Sequence, residues 1–151
     1  RSILGSKECK GFGYDISETA CAKAKKTWAD FQFSQFDLTS PTAENFKAKN
    51  RKLGVKRLFV IRGTLWYVFP KIDTVVNVIR KLMGDQDRLL VIQNFPPLDS
   101  PFIGKNVIPD HHALVSHFSS AFLLVRHIWY EDILKSANDN WFIGLFSTKD
   151  I

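Results

Sequence analysis

Apolar and polar positions switch between two spacings along this chain, close to two residues in some stretches and close to 3.6 in others. Lys10–Ile16 (KGFGYDI) reads as a short strand ending in an acid. Ser17 follows at a helix N-cap position with Glu18 as a first-turn acid, although Ala20 stands where a capping box wants Glu or Gln. Ser17–Trp28 is rich in Ala and Lys, both strong helix formers. Over Asp30–Leu38, Phe31, Phe33 and Phe36 stand among Gln32, Ser34 and Gln35, which predicts a strand running into Asp37. Pro41, favoured at a first helical position, opens a helix over Thr42–Lys52 that Gly54 stops.

Arg57–Ile61 (RLFVI) is a continuous apolar run, the pattern of a strand buried on both faces, and Gly63 closes it. Ile72–Met83 returns to helix spacing, with Gly84 as its stop signal. Arg88–Gln93 (RLLVIQ) is a second buried strand. Pro96, Pro97, Pro101 and Pro109 mark a long irregular segment, and Asp110–Ser119 holds a helix. Phe122–Trp129 and Trp141–Thr148 are the last strands, with Glu131–Ser136 and a polar turn at Ser136–Asn140 between them.

Strands separated by helices imply a parallel sheet with helices on both faces. The last two strands lack a full helix between them, so an antiparallel hairpin at the sheet edge is expected. The fold class is α/β: a three-layer α/β/α sandwich, mostly parallel, one domain over residues 1–151. Ligands of such sheets bind beyond the carboxyl ends of the strands. That directs attention to Asp15, Asp37, Arg62–Tyr67 and Asn94–Pro97.

Composition narrows the function classes. With 45% hydrophobic and 24% charged residues, the chain is neither a disordered tail nor a fibre. No apolar run approaches the ~20 residues of a membrane span. Two cysteines, Cys9 and Cys21, exclude a disulfide scaffold and a four-thiolate zinc site, and reduced thiols in a cytoplasmic protein are expected. RSILGSKECK lacks the apolar core of a secretory signal. The formal charge of +6 favours anionic partners. Its lysines, however, gather in Lys23–Lys26 and Lys47–Arg57, stretches that read as solvated helix faces.

The ordered motifs resemble a known family. GFGYDIS (residues 11–17) with its Ala/Lys helix resembles the second strand of class I S-adenosylmethionine-dependent methyltransferases, where an acid binds the ribose hydroxyls. FSQFDLTS (33–40) resembles the third-strand motif, whose Asp reads the adenine amino group, and RLFVIRGTLWYVFP (57–70) the fourth-strand motif. The helix, the KLMGDQDRLLVIQ strand and the closing antiparallel strands follow in the family's order, so the resemblance covers nearly the whole chain. It departs at the glycine-rich loop: RSILG looks like the start of the first strand, yet SKECKGFGYDIS follows at once, placing a missing segment near Gly5–Ser6. Arg57 stands where many relatives carry an acid.

The resemblance implies a Rossmann-like methyltransferase that uses S-adenosylmethionine and releases S-adenosylhomocysteine. Asp15 would then accept from the ribose diol, since two carboxylate oxygens match two adjacent hydroxyls. Ile16 would offer adenine an apolar face, Asp37 would accept from its amino group, and the Leu38 backbone would pair with a ring nitrogen. Arg62 and Gly63 would border the methyl donor. Trp66 and Tyr67 would pack around the sulfonium or the acceptor, with Phe95 and Phe102 as further apolar walls. His111 and His112 are the candidate bases, because imidazole titrates near neutrality. As adjacent helical residues they should point apart, so that at most one serves. His117 is less favoured, and His127 reads as structural.

No metal is expected, because the Asp110-His111-His112 run places adjacent ligands that share one ion poorly. A small-molecule acceptor methylated on oxygen or nitrogen, in a monomer or homodimer without membrane association, is the leading expectation. An RNA-binding or RNA-modifying domain and a non-catalytic scaffold are the alternatives.

Overall fold

A computed structural model of the chain describes residues 10–40, 55–96, 100–131 and 140–149. The expected helix over Thr42–Lys52 with its Gly54 stop, the RSILG strand, the Gly5–Ser6 junction, Cys9, Pro97 and most of the stretch between the last two strands lie outside the described residues. The chain forms two compact units, one within Arg1–Ala43 and one within Glu44–Ile151.

In the first unit, strands β1 (Gly11–Asp15) and β2 (Phe31–Gln35) pair in parallel, from Gly11 opposite Phe31 to Asp15 opposite Gln35. Glycine at 11 and 13 makes room for the rings across the ladder: a Cβ on Gly13 would stand 2.4 Å from Phe33 Cδ1. Helix α1 (Glu18–Thr27) crosses between the strands. Ser17 caps it with an extended backbone, its hydroxyl accepting from Ala20 N–H at 3.2 Å. The cap thus works without the reciprocal acid of a full box.

The second unit is built on a four-stranded sheet of order β3-β4-β6-β5. Its strands are β3 (Leu58–Arg62), β4 (Arg88–Phe95), β5 (Phe122–Tyr130) and β6 (Asn140–Thr148). β3 and β4 are parallel, joined through a 3₁₀ helix, Leu65–Lys71, and helix α2, Ile72–Leu82. β6 runs antiparallel to both β4 and β5. The closing hairpin is therefore present, with β6 inserted inside the sheet and β5 alone at the edge. Helix α3 (His111–Phe118) precedes β5, capped by the Asp110 carboxylate on Ala113 N–H at 2.8 Å.

Alternate residues of β4 and β6 (Leu89, Val91 and Phe95; Phe142 and Phe146) are buried, as are Val75, Val76 and Ile79 of α2 and Leu114 and Phe118 of α3. These side chains form the core on one face of the sheet. The expectation that Arg57–Ile61 is buried on both faces is corrected. Ile61 is buried, but Leu58 and Val60 on the other face are 59% and 54% exposed. Apolar residues at consecutive positions supply two greasy faces, and only one of them is covered. No helix among the described residues is long and apolar enough to cross a membrane.

Candidate functional site

In the first unit, Asp15 ends β1 and Asp37 follows just beyond β2. Because Asp15 is in register with Gln35, both carboxylates stand at the carboxyl end of the parallel pair. Each is steadied by its own turn. Asp15 Oδ1 accepts from Ser17 N–H at 2.8 Å, and Asp37 Oδ1 accepts from both the N–H and the hydroxyl of Thr39, each at 2.8 Å. Ile16 is 64% exposed beside Asp15, its carbonyl accepting from Gln35 Nε2 at 2.9 Å. Leu38 is half-buried.

In the second unit, Arg62 ends β3 with an exposed side chain, and Gly63 turns the chain at φ 63°, a left-handed conformation that suits glycine. Gly63 N–H still donates to Ile92 O at 3.0 Å, extending the ladder past the strand. The 3₁₀ helix then sets Trp66 inward and Tyr67 outward. Trp66 Nε1 donates to Asn94 Oδ1 at 3.0 Å and meets the Phe102 ring edge-on at 5.0 Å. Tyr67 is 80% exposed, so the structure does not bring it to the aromatic cluster. Phe95 is buried against Phe69, Trp66 and Trp129, backing the cluster from within rather than offering an open wall. Phe102 is half-buried beside a shallow apolar depression lined by Pro101, Lys105, Asn106 and Pro109.

The histidine pair differs from expectation. The rings of His111 and His112 lie 4.0 Å apart instead of diverging. Both occupy the first turn of α3, where side chains lean back past the helix start and no preceding turn separates them. His111 also stacks on Trp129 at 4.0 Å, and its Nδ1 is buried without a partner among the described residues. Burial lowers its pKa below the ordinary imidazole value. His112 and His127 push it the same way, and Asp110 and Glu131 push against them. His112 is exposed. His117 instead pairs with Asp73, Nδ1 to Oδ1 at 2.8 Å, and His127 stacks on Phe142 in β5. Among the described residues no cluster of three or more His, Cys, Asp or Glu side chains could hold a metal ion.

Sequence reasoning missed two members of this end of the sheet. Trp129 is the platform under His111, and the strand register, which puts Trp129 opposite Phe142, is the signal that finds it. Gln93, in register with Phe142 on the same face, is buried with its Oε1 unpartnered among the described residues, and Asn140 Oδ1 shares that condition.

No protein-family profile and no curated protein matches the chain. Solved structures do. A SAM-dependent methyltransferase from Anabaena variabilis ATCC 29413 superposes with a TM-score of 0.65 at 15% identity, over 93% of this chain and 68% of that one. A SAM-dependent methyltransferase from Methanosarcina mazei gives 0.67 at 11% identity, over 97% and 85%. The N-methyltransferase NodS from Bradyrhizobium japonicum WM9, in its complex with S-adenosyl-L-homocysteine, gives 0.61 at 12% identity, over 93% and 67%.

Proposed function

We propose that this chain, which has the fold of the S-adenosylmethionine-dependent methyltransferases, moves a methyl group from S-adenosylmethionine to an oxygen or nitrogen of a small-molecule acceptor. One observation carries the reading: two carboxylates, Asp15 and Asp37, stand at the carboxyl end of adjacent parallel strands within that fold. Each already spends one oxygen on its own turn, which fixes the direction of the other. Asp15 would accept from a ribose diol, with exposed Ile16 as an apolar surface for adenine. Asp37 would accept from the adenine amino group, and the Leu38 backbone would pair with a ring nitrogen. Arg62 and Gly63, at the end of β3, would offer the donor a backbone surface, the glycine permitting close approach.

Bound S-adenosylmethionine supplies an electrophilic methyl on a sulfonium. The chain's own work is to orient and to move a proton. Trp66, fixed by Asn94, turns an aromatic face toward a cation, a contact of about 0.5–2 kcal/mol. Phe102 and, from behind, Phe95 would keep water from that face, while the exposed Tyr67 stands apart from the cluster. His111, its pKa lowered by burial, would take the acceptor's proton at Nδ1, which has no partner among the described residues, with His112 as the second candidate. Positioning supplies most of the rate. The same reading carries the mostly parallel three-layer α/β/α sandwich, and a monomer or homodimer in the cytoplasm, where two cysteines suit a reducing environment.

The test is calorimetric titration with S-adenosylhomocysteine. Micromolar binding is expected, weakened by Asp15→Ala and by Asp37→Ala by roughly 10- to 100-fold each, the effect of losing hydrogen bonds to a charged group at ~1.5–3 kcal/mol. Absence of binding by a demonstrably folded chain would replace this reading with a non-catalytic scaffold.

A further inference from the structure

Arg62 and Asn94 bring hydrogen-bond donors to one end of the second unit's sheet. Arg62 is the last residue of β3 and is in register with Ile92 of β4. Asn94 stands two residues further along β4, and side chains alternate along a strand, so it shares a side with Ile92 and Arg62. The two Cα atoms are therefore about 8 Å apart, given ~4.8 Å between strands and ~3.3 Å per residue along them. The Asn94 carboxamide has a fixed sense. Trp66 Nε1 can only donate, and it donates to Asn94 Oδ1 at 3.0 Å, which commits the oxygen and leaves the two Nδ2 N–H groups. Nδ2 makes no hydrogen bond among the described residues, and it is not sealed in as Gln93 Oε1 is. The Arg62 side chain is exposed, with no carboxylate paired to it among the described residues. Both donors stand at the carboxyl end of a parallel strand pair, where such sheets bind ligands. Strand ends stay within a ligand's reach even when helices cover both faces of the sheet.

We propose that Arg62 and Asn94 together bind a carboxylate, and that the methyl acceptor of this chain is a small carboxylic acid. This rests on the methyltransferase reading and adds the substrate class to it. A planar carboxylate takes two parallel N–H groups from a guanidinium and a further one from an amide. An amine at the same place would meet donors alone and a like charge. The carboxylate is a handle for orientation, and the oxygen or nitrogen that takes the methyl lies elsewhere on the acid. Trp66 is the positioning residue. Without its indole N–H, the carboxamide is free to flip and offer Oδ1 in place of Nδ2. Trp66 and Trp141, directly opposite Asn94 on β6, are flat apolar surfaces for the rest of the acid. The formal charge of +6 draws an anion to the protein from a distance.

The probe is benzoate, with benzylamine as its cationic counterpart. Each is titrated into the intact chain and followed by the Asn94 side-chain amide and Trp66 indole signals in nitrogen–proton NMR spectra. Asn94→Asp and Trp66→Phe assign those signals by their loss. Benzoate is expected to shift both saturably, and benzylamine neither. Arg62→Gln should weaken benzoate about tenfold, the loss of a charge-assisted pair. Asn94→Asp keeps an oxygen for Trp66 but puts a negative oxygen in place of the donor. It should abolish benzoate binding, read from the Trp66 signal. Arg62 is exposed, so Arg62→Gln should melt like the parent protein. Equal shifts with the two probes, or a benzoate affinity unchanged in Arg62→Gln, overturns the proposal. S-adenosylhomocysteine titrated into the same samples separates the two readings. Its binding without that of benzoate overturns the carboxylate site alone. Benzoate binding without it overturns the methyltransferase reading, and with it the assignment of the acid as methyl acceptor.

Discussion

Asp87 holds Arg57 by side chain and backbone together. Arg57 N–H donates to Oδ1 at 2.9 Å, Nε to Oδ2 at 3.0 Å and Nη2 to Oδ2 at 2.5 Å. The same carboxylate accepts from Gly84 N–H at 2.7 Å, so the residue before β3 and the turn after α2 are fastened at one point. Asp87→Ala would strand both amides and leave the guanidinium with Leu82 O, to which Nη2 donates at 2.8 Å. A loss of about 3–5 kcal/mol is expected, read from urea unfolding.

Acid should undo the same contact. Burial alone would raise the Asp87 pKa, but the Arg57 side chain, the amides of Gly84 and Arg57, and the Arg57 charge together hold it below the ordinary carboxylate value. A depressed carboxyl stabilises the fold above its unfolded pKa of ~3.9, and that stability is lost as pH falls through the lowered folded value. Asp87→Asn should flatten the loss of stability below about pH 4, measured as Tm against pH.

His111 titrates in a different window with the same sign. Its folded pKa is lowered, first by burial and then by the neighbouring His112. Between that value and ~6.5 the unfolded chain binds more protons, so stability is full above about pH 6.5 and declines as the pH drops. His111→Gln should remove this slope from a Tm series between about pH 5 and 8. A slope unchanged by the substitution would place its origin in another group.

Two left-handed glycines should respond unequally to alanine. At Gly63 (φ 63°) a Cβ meets nothing within 4 Å, so Gly63→Ala carries backbone strain alone, about 1 kcal/mol. At Gly104 (φ 78°) a Cβ would stand 2.4 Å from Cβ of buried Phe69 and 3.2 Å from Pro70 Cδ. Gly104→Ala should therefore cost about 3 kcal/mol, strain plus overpacking. Urea midpoints of the two variants give the ranking directly.

The Trp66–Asn94 hydrogen bond joins the 3₁₀ helix to the end of β4. A double-mutant cycle with Trp66→Phe and Asn94→Ala should return a coupling of about 1 kcal/mol. A coupling near zero would mean that Trp66 is held by ring packing alone.

Local chemistry was legible where a few neighbouring residues decide the outcome. Ser17 announces α1, the spacing of Ile72–Met83 announces α2 within one residue of its end, and Phe122–Trp129 and Trp141–Thr148 announce the hairpin strands. What depends on distant partners was not legible. Arg57 looked like a departure from the family pattern until its partner Asp87, 30 residues on, came into view. Leu65–Lys71 is an apolar run with Pro70 inside it and shows no helical period, so its 3₁₀ turns leave no mark in the sequence. RLFVI declares two apolar faces without saying that one stays open. In the candidate site, Asp15 and Asp37 were readable as strand-end acids. The ring stack under His111 was not, because it depends on which strand lies beside which.

The place of β6 has a consequence for how the protein is made. It is the strand that bonds β4 to β5, and it is synthesised after both. On the ribosome, β4 and β5 each wait with an unsatisfied edge until Asn140–Thr148 emerges. At ~5–20 residues per second, β4 stays exposed in this way for several seconds. During that interval the nascent chain offers two open strands to whatever it meets, a hazard that chaperones exist to contain.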